Sequence, residues 1–177
     1  LNITIRQETP QDMSRIEEVI KHAFLKEPLS DQNEHHLVRA IRQCDGFIPE
    51  LSLVALDETE TIVGHLLLSK INIVKRDHAV DSLALAPVSI IPEYQRKGIG
   101  SMLIREALQR ATTLGYSSVI VLGHEDYYPR FGFKPASHWG IKAPFDVPDE
   151  SFMALPLNGH SLDNIQGVVH YPEAFNS

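Results

Sequence analysis

The sequence predicts an α+β fold, a mixed and mostly antiparallel sheet of about six to seven strands flanked by helices. Three observations lead there. Two amphipathic helical patterns precede residue 50, and three apolar runs between Leu51 and Ile91 are joined by short polar turns, as in an antiparallel meander. The third is an apolar strand that ends at a glycine-containing loop, passes into a long helix and returns as a second apolar strand. A strand–helix–strand unit of that kind is a right-handed crossover between parallel strands.

Residues 2–6 alternate as a first strand, after which Thr9 and Pro10 form a helix start with Asp12 in the first turn. Met13, Ile16, Val19, Ile20, Ala23 and Phe24 follow at helical spacing, and Pro28 stops the run. Ser30 and Asp31 are candidate caps for a second helix whose inner face is Leu37, Val38 and Ile41. Gly46 and Pro49 end it. Residues 51–56, 61–74 and 79–91 then read as strands, with Gly64 a candidate bulge and residues 75–78 a hairpin turn. The next helix places Ile99, Leu103, Ala107, Ala111 and Leu114 on one face, and Gly115 stops it. Residues 117–122 suit a strand covered on both faces. A short helix broken at Pro129 and strands at 131–135 and 152–157 follow. The last twenty residues are weakly patterned, although Val168, Val169, His170 and Tyr171 suit packing on the sheet.

Length and composition bound the function. A chain of 177 residues with 43% hydrophobic and 22% charged residues fits one globular domain, 1–177. No apolar run approaches the roughly 20 residues that span a bilayer. Leu1 to Ile5 lacks the basic start and apolar centre of a signal peptide. A single cysteine, Cys44, fits a reducing, cytoplasmic setting and reads as a small core hydrophobe. The net charge of −7 argues against nucleic acid as a partner. No His, Cys or carboxylate cluster has metal-ligand spacing; His35 and His36, adjacent on a helix, point about 100° apart. No membrane partner and no metal are expected, and a homodimer is left open.

The stretch Ile90-Ile91-Pro92-Glu93-Tyr94-Gln95-Arg96-Lys97-Gly98-Ile99-Gly100-Ser101 organises the rest. Glycines let successive main-chain N–H groups converge, and the helix that starts near Gly98 adds its positive dipole end. Such a loop binds phosphate. It is not a Walker loop, because Lys97 precedes the glycine, and the dinucleotide fingerprint fails for want of a third glycine. A plain helix cap is the bland alternative. The pairing of Arg96 and Lys97 with Gly-x-Gly after a strand and before a long amphipathic helix weighs against it.

Gln95-x-x-Gly98-x-Gly100 resembles the pyrophosphate-binding signature of the GNAT superfamily of acyl-CoA N-acyltransferases, and Tyr128-Pro129-Arg130-Phe131-Gly132-Phe133 is a second match. The element order agrees over residues 2–157. Glu93 to Gln95, Tyr127 to Phe133 and Tyr171 to Phe175 further resemble a bacterial group of predicted acetyltransferases related to YhbS. The resemblance implies transfer of an acetyl group from acetyl-CoA to a small-molecule or peptide primary amine, by direct attack in a ternary complex. The pyrophosphate is then expected on Arg96, Lys97, Gly98, Ile99, Gly100 and Ser101. Pro87 cannot donate to a ladder and marks a bulge or edge. By the resemblance Val88, Ser89 and Ile90 line the cofactor, with the Ile90 N–H as oxyanion donor. Tyr128 takes the place of the general acid, since a phenol with an ordinary pKa of about 10 holds its proton at neutral pH. Tyr127 is the competing phenol, and a core tyrosine is the bland reading of either.

Two features depart from the resemblance. The segment Gly123-His124-Glu125-Asp126 lacks the asparagine that relatives carry before the tyrosine. No general base declares itself: His124, Glu125, Glu50, Glu34, His35 and His36 each read more readily as solvated side chains or caps. A non-catalytic acyl-CoA-binding sensor is the competing class. The loop Glu27–Glu34 and the segment 137–150 are expected to flank the acceptor and to decide between a closed pocket and an open groove.

Overall fold

The computed structural model describes residues 1–176. The strands are β1 (Thr4–Gln7), β2 (Ser52–Leu56), β3 (Ile62–Lys75), β4 (His78–Ile90), β5 (Ser118–Leu122), β6 (Lys134–Pro135), β7 (Ile141–Lys142), β8 (Phe152–Pro156) and β9 (Gly167–His170). The helices are α1 (Met13–Phe24), α2 (Glu34–Arg42) and α3 (Ile99–Thr113). All nine strands join one sheet in the order β1-β2-β3-β4-β5-β8-β6, with β9 bridging β3 and β7. Two of the nine, β6 and β7, are only two residues long. The β4–β5 pair is parallel, as the crossover requires, while β1 through β4 form the antiparallel meander.

Side chains alternate between the two faces of the sheet, and β2 and most of β3 are buried on both. A Cβ on Gly64 would meet the Leu103 side chain, so this side of β3 faces α3. One residue on, His65 points to the opposite face and meets Ser52 of β2 and Glu8, the residue after β1. The main core holds α3's Ile99, Leu103, Ala107 and Ala111, while a second cluster around Ala84, Ile120 and Val169 lies on the face away from α3. Leu114, expected on the inner face of α3, is exposed because the helix has already ended.

Local chemistry sets several boundaries. The Asp12 carboxylate accepts from the Thr9 N–H and is paired with Arg6, fixing the entry to α1. α2 begins later than its candidate caps suggest. The Ser30 hydroxyl donates to the Glu34 carboxylate, and Asn33 stands at the N-cap. A bulge sits beside Gly64, where Ala55 and Leu56 are consecutive on β2 but face Gly64 and Ile62. The tail is not peripheral: Val169 is fully buried and pairs with Ile73, and the turn at Glu173–Asn176 packs on α2. Cys44 is half-buried against the main core.

Behind the meander lies a buried polar cluster that the sequence does not announce. Glu8 accepts hydrogen bonds from Arg42 and Ser52, and Ser52 Oγ lies 2.9 Å from His65 Nε2. Burial raises the Glu8 carboxyl, but the contacts with His65, Arg42 and Ser52 outweigh it and hold it at about 2. Burial lowers the His65 pKa despite the nearby carboxylate, so the ring is neutral.

Candidate active site

The site forms where two parallel strands part. β4 and β5 are paired only at Leu83↔Val119 and Ala84↔Ile120; beyond that β4 runs on to Ile90 without β5 beside it. Pro87 lies in this stretch, and the β3–β4 register slips there: Leu66 faces Val88, while Leu68 faces Leu85. One extra β4 residue is therefore accommodated beside a proline that cannot donate, as a bulge requires.

Main-chain alternation then decides what β4 offers to the opening. Ile91 N–H donates to Val63 O at 3.0 Å. Neighbouring residues of a strand direct their amides to opposite sides, so the N–H groups of Ile90 and Val88 face away from β3, into the opening. The Ile90 carbonyl faces the same way and accepts from Gln95 Nε2 at 2.9 Å, which ties the strand end to the loop. Ser89 differs from its neighbours. Its side chain is fully buried on the face away from α3, directly across from His65, and only its main chain reaches the level of the opening.

The loop itself turns twice through left-handed backbone, at Arg96 (φ 63°) and Gly98 (φ 83°). Gly98 is the N-cap of α3, so the N–H groups of Ile99, Gly100 and Ser101 have no partner within the helix. A helix N-terminus of this form presents converging donors and a positive dipole end to an anion. Lys97 lays its ammonium over the Tyr94 ring at 5.4 Å, and Tyr94 is held by its hydroxyl donating to Asp57. Two further cations, not singled out by sequence reasoning, stand close by. Arg130 lies 4.4 Å from the Tyr127 ring centre and Arg105 lies 4.9 Å from that of Phe131. Arg105 looks like a plain solvent-facing residue of α3 when only helical spacing is read.

The two adjacent tyrosines go to different places. Tyr127 Oη is 3.0 Å from Ser101 Oγ, at the start of α3. Tyr128 instead packs its ring against Gly123, the residue after β5, and meets Phe133 edge-on at 5.8 Å. A Cβ on Gly123 would sit 2.3 Å from that ring, so the glycine is required by close approach. Burial, with a smaller contribution from Tyr127, pushes the Tyr128 phenol up to about 12. The opening thus has the outward amide of Ile90 on its β4 side and a half-buried, protonated phenol beyond the end of β5.

On the face away from α3, the same opening leads into a cavity of about 660 Å³. Its walls come from residues 84–86 of β4, Ile120 and Leu122 of β5, Leu37 of α2, Pro144 and Phe145, and Val169, His170, Tyr171, Phe175 and Asn176 of the tail. Of the two segments expected to flank the acceptor, 137–150 contributes Pro144 and Phe145 to this cavity and the loop Glu27–Glu34 contributes nothing; from the α1–α2 region only Leu37 lines it. The largest part missed by sequence reasoning is the tail, whose Tyr171 and Phe175 rings lie 5.0 Å apart. The Val168–Tyr171 pattern was the available signal for its strand, but nothing local announced a cavity wall. Among the described residues, no group of three or more His, Cys, Asp or Glu is arranged to hold a metal ion.

Comparison with known proteins agrees with this architecture. The family model described as acetyltransferase (GNAT) family matches residues 15–133. The uncharacterized N-acetyltransferase YhbS of Escherichia coli (strain K12) is 29% identical over 172 residues, 97% of this chain and 98% of that one. The uncharacterized N-acetyltransferase YjhQ of the same strain is 37% identical over 140 residues, 78% of this chain and 74% of that one. A crystal structure of Escherichia coli YhbS in complex with CoA superposes with a TM-score of 0.89 at 26% identity, covering 100% of this chain and 93% of that one. A GNAT family acetyltransferase from Brucella melitensis in complex with acetyl-CoA gives a TM-score of 0.80 at 33% identity, covering 98% of both chains. With a parted β4–β5 pair, a Gly-x-Gly helix cap and a family match across most of its length, this chain belongs to the GNAT acetyltransferase family.

Proposed function

We propose that the chain transfers the acetyl group of acetyl-CoA to a primary amine by direct attack in a ternary complex. The carrying observation is the β4–β5 opening, which has outward main-chain donors at Val88 and Ile90 and leads from the α3 loop to a cavity on the opposite face. The relatives crystallised with CoA and acetyl-CoA support the choice of cosubstrate. In this reading the pyrophosphate rests on the amides of Gly98 to Ser101, within the field of Arg96, Lys97, Arg105 and Arg130. The pantetheine arm lies along Val88 to Ile90 as an added strand.

The amine lone pair attacks the thioester carbon, the carbonyl oxygen gains charge beside the Ile90 N–H, and the C–S bond then breaks. Overall, one proton leaves nitrogen and one arrives on sulfur. At about 12 the Tyr128 phenol keeps its own proton at neutral pH. Outright donation to a thiolate, whose parent thiol has a pKa near 8.5, runs uphill. Tyr128 therefore acts as a hydrogen-bond donor to the leaving sulfur and relays the proton that the nitrogen gives up.

Tyr128→Phe tests this with a thiol-release assay over a panel of primary amines. The expected result is a fall in kcat of about 10²–10⁴-fold, with the Kd for CoA unchanged within about threefold. Equal loss of CoA affinity and turnover, or wild-type protein that binds acetyl-CoA but acetylates no amine, points to the sensor instead.

A further inference from the structure

We propose that the acceptor is a primary amine carried on an apolar, ring-sized body, without a carboxylate, phosphate or second ammonium. The inference rests on the acetyl-transfer reading above and names the occupant of the cavity. Ala84 and Ile120 form the last β4–β5 pair before the strands part, and both belong to the core cluster on the face away from α3. The loop and α3 lie on the other face. A thioester reaching through the opening from the α3 side therefore meets whatever fills the cavity.

The chemistry of the wall selects that occupant. Among the residues lining the cavity there is no Asp, Glu, Lys or Arg. Small side chains line it at Ala84 and Ala86, and large apolar or aromatic ones at Leu37, Leu122, Phe145, Tyr171 and Phe175. Phe145 and Tyr171 are near-parallel, 20° between planes with centres 6.2 Å apart, and Tyr171 is close enough to Phe175 for the three to form a continuous aromatic wall. Burial pushes the Tyr171 phenol up to about 12, so it is neutral.

The polar side chains of the lining are His170, Tyr171 and Asn176, so a substrate carboxylate or phosphate would lie against this wall with no lysine or arginine to pair it, and a second ammonium would have no carboxylate. Charges buried without partners are strongly disfavoured. An aromatic or branched aliphatic body, by contrast, removes its own surface from water together with that of Phe145 and Leu122, which are 45% and 50% exposed. At about 30 Å³ per water-sized group, the volume admits roughly twenty non-hydrogen atoms, which suits a small molecule. No carboxylate lines the cavity; the titratable groups that face the amine are the His170 imidazole and the Tyr171 phenol, and turnover rises with pH as the free amine becomes available.

The test compares 2-phenylethylamine, phenylalanine and spermidine as acceptors for the full chain with acetyl-CoA. It also measures binding of N-acetyl-2-phenylethylamine and N-acetylphenylalanine by calorimetry with CoA present. Expected are a kcat/KM for 2-phenylethylamine at least about 100-fold above both charged acceptors and a matching preference in binding. Phe175→Ala raises the KM for 2-phenylethylamine about tenfold and leaves that for acetyl-CoA within twofold; Phe145→Ala, whose ring is 45% exposed, gives the same direction. Turnover that favours phenylalanine or spermidine overturns the acceptor class and leaves acetyl transfer standing. Selective binding of the neutral amide without turnover of any amine overturns acetyl transfer and leaves the ligand class standing. Failure of both readouts to distinguish the three acceptors overturns the proposal.

Discussion

On one side of the β4–β5 opening, the loop from Gln95 to Ser101 offers main-chain groups; on the other, the cavity offers side chains from α2, β4, β5, the 144–145 segment and the tail. The first is continuous in sequence and depends on backbone angles that few residues adopt. The second is assembled by sheet topology from pieces up to about 140 positions apart, and any apolar residue of suitable volume can serve in it. Main-chain sites constrain residue type and so leave a local pattern. Side-chain walls constrain only bulk and polarity, and so leave no local pattern.

That contrast is tested most severely through Arg42, which shares α2 with the cavity residue Leu37 and pairs with Glu8. Removing the cation leaves a carboxylate buried without its partner. Arg42→Ala is expected to lower the unfolding free energy by about 3 kcal/mol, read by urea denaturation. In the protein that remains folded, the KM for the amine should rise more than the Kd for CoA. A variant that weakens CoA first would show that the two sides are not separately supported. The cluster also sets a pH dependence. The folded chain holds His65 below its ordinary pKa, so on acidification below about 6.5 the unfolded chain takes up a proton that the folded one refuses, and stability falls. Glu8, held at about 2, is still ionised when the unfolded carboxylate protonates near 4.5, so a second loss spans that interval. In Arg42→Ala the second limb should shrink.

The next effect concerns the junction of the two sides. A methyl group on Gly123 would overlap the Tyr128 ring at 2.3 Å, and an aromatic ring wedged against Phe133 cannot bend away as a flexible chain would. Gly123→Ala should displace the phenol by about an ångström and lower kcat roughly 100-fold. The Kd for CoA should change by no more than a few-fold. Unchanged kcat would remove Tyr128 from the reaction.

These residues show how much of the molecule was legible. The helical spacing of α1 and α3 follows from periodicity, because each buries one face, whereas the meander and β5 follow from apolar runs between polar turns, because these strands are covered on both faces. Gly98 announces its left-handed turn because other residues pay about 1–2 kcal/mol there. Nothing local in the sequence marks Glu8; Arg42, 34 positions on, and Ser52, 44 positions on, close over it. The start of α2 was misjudged because Ser30 spends its hydroxyl on Glu34. Tyr171 and Phe175 belong to an aromatic run whose motif was visible but whose place was not, since β9 reaches β3 only through long-range pairing.

The smallest effect lies where the main-chain site touches a side chain. Ser101 Oγ and Tyr127 Oη are 3.0 Å apart at the head of α3, and the Arg130 guanidinium covers the same tyrosine ring. If the loop binds phosphate through amides alone, this hydroxyl pair only steadies the first turn of the helix, and a lost hydrogen bond of this kind is worth about 0.5–1.5 kcal/mol. Ser101→Ala should then weaken CoA about two- to tenfold, with kcat and the amine KM unchanged. Tyr127→Phe should do the same, and the double variant should cost no more than either single one, because each removes the same contact. Additive losses measured by calorimetry would mean that both hydroxyls reach the ligand separately, and the loop would no longer be a main-chain site with side chains as mere supports.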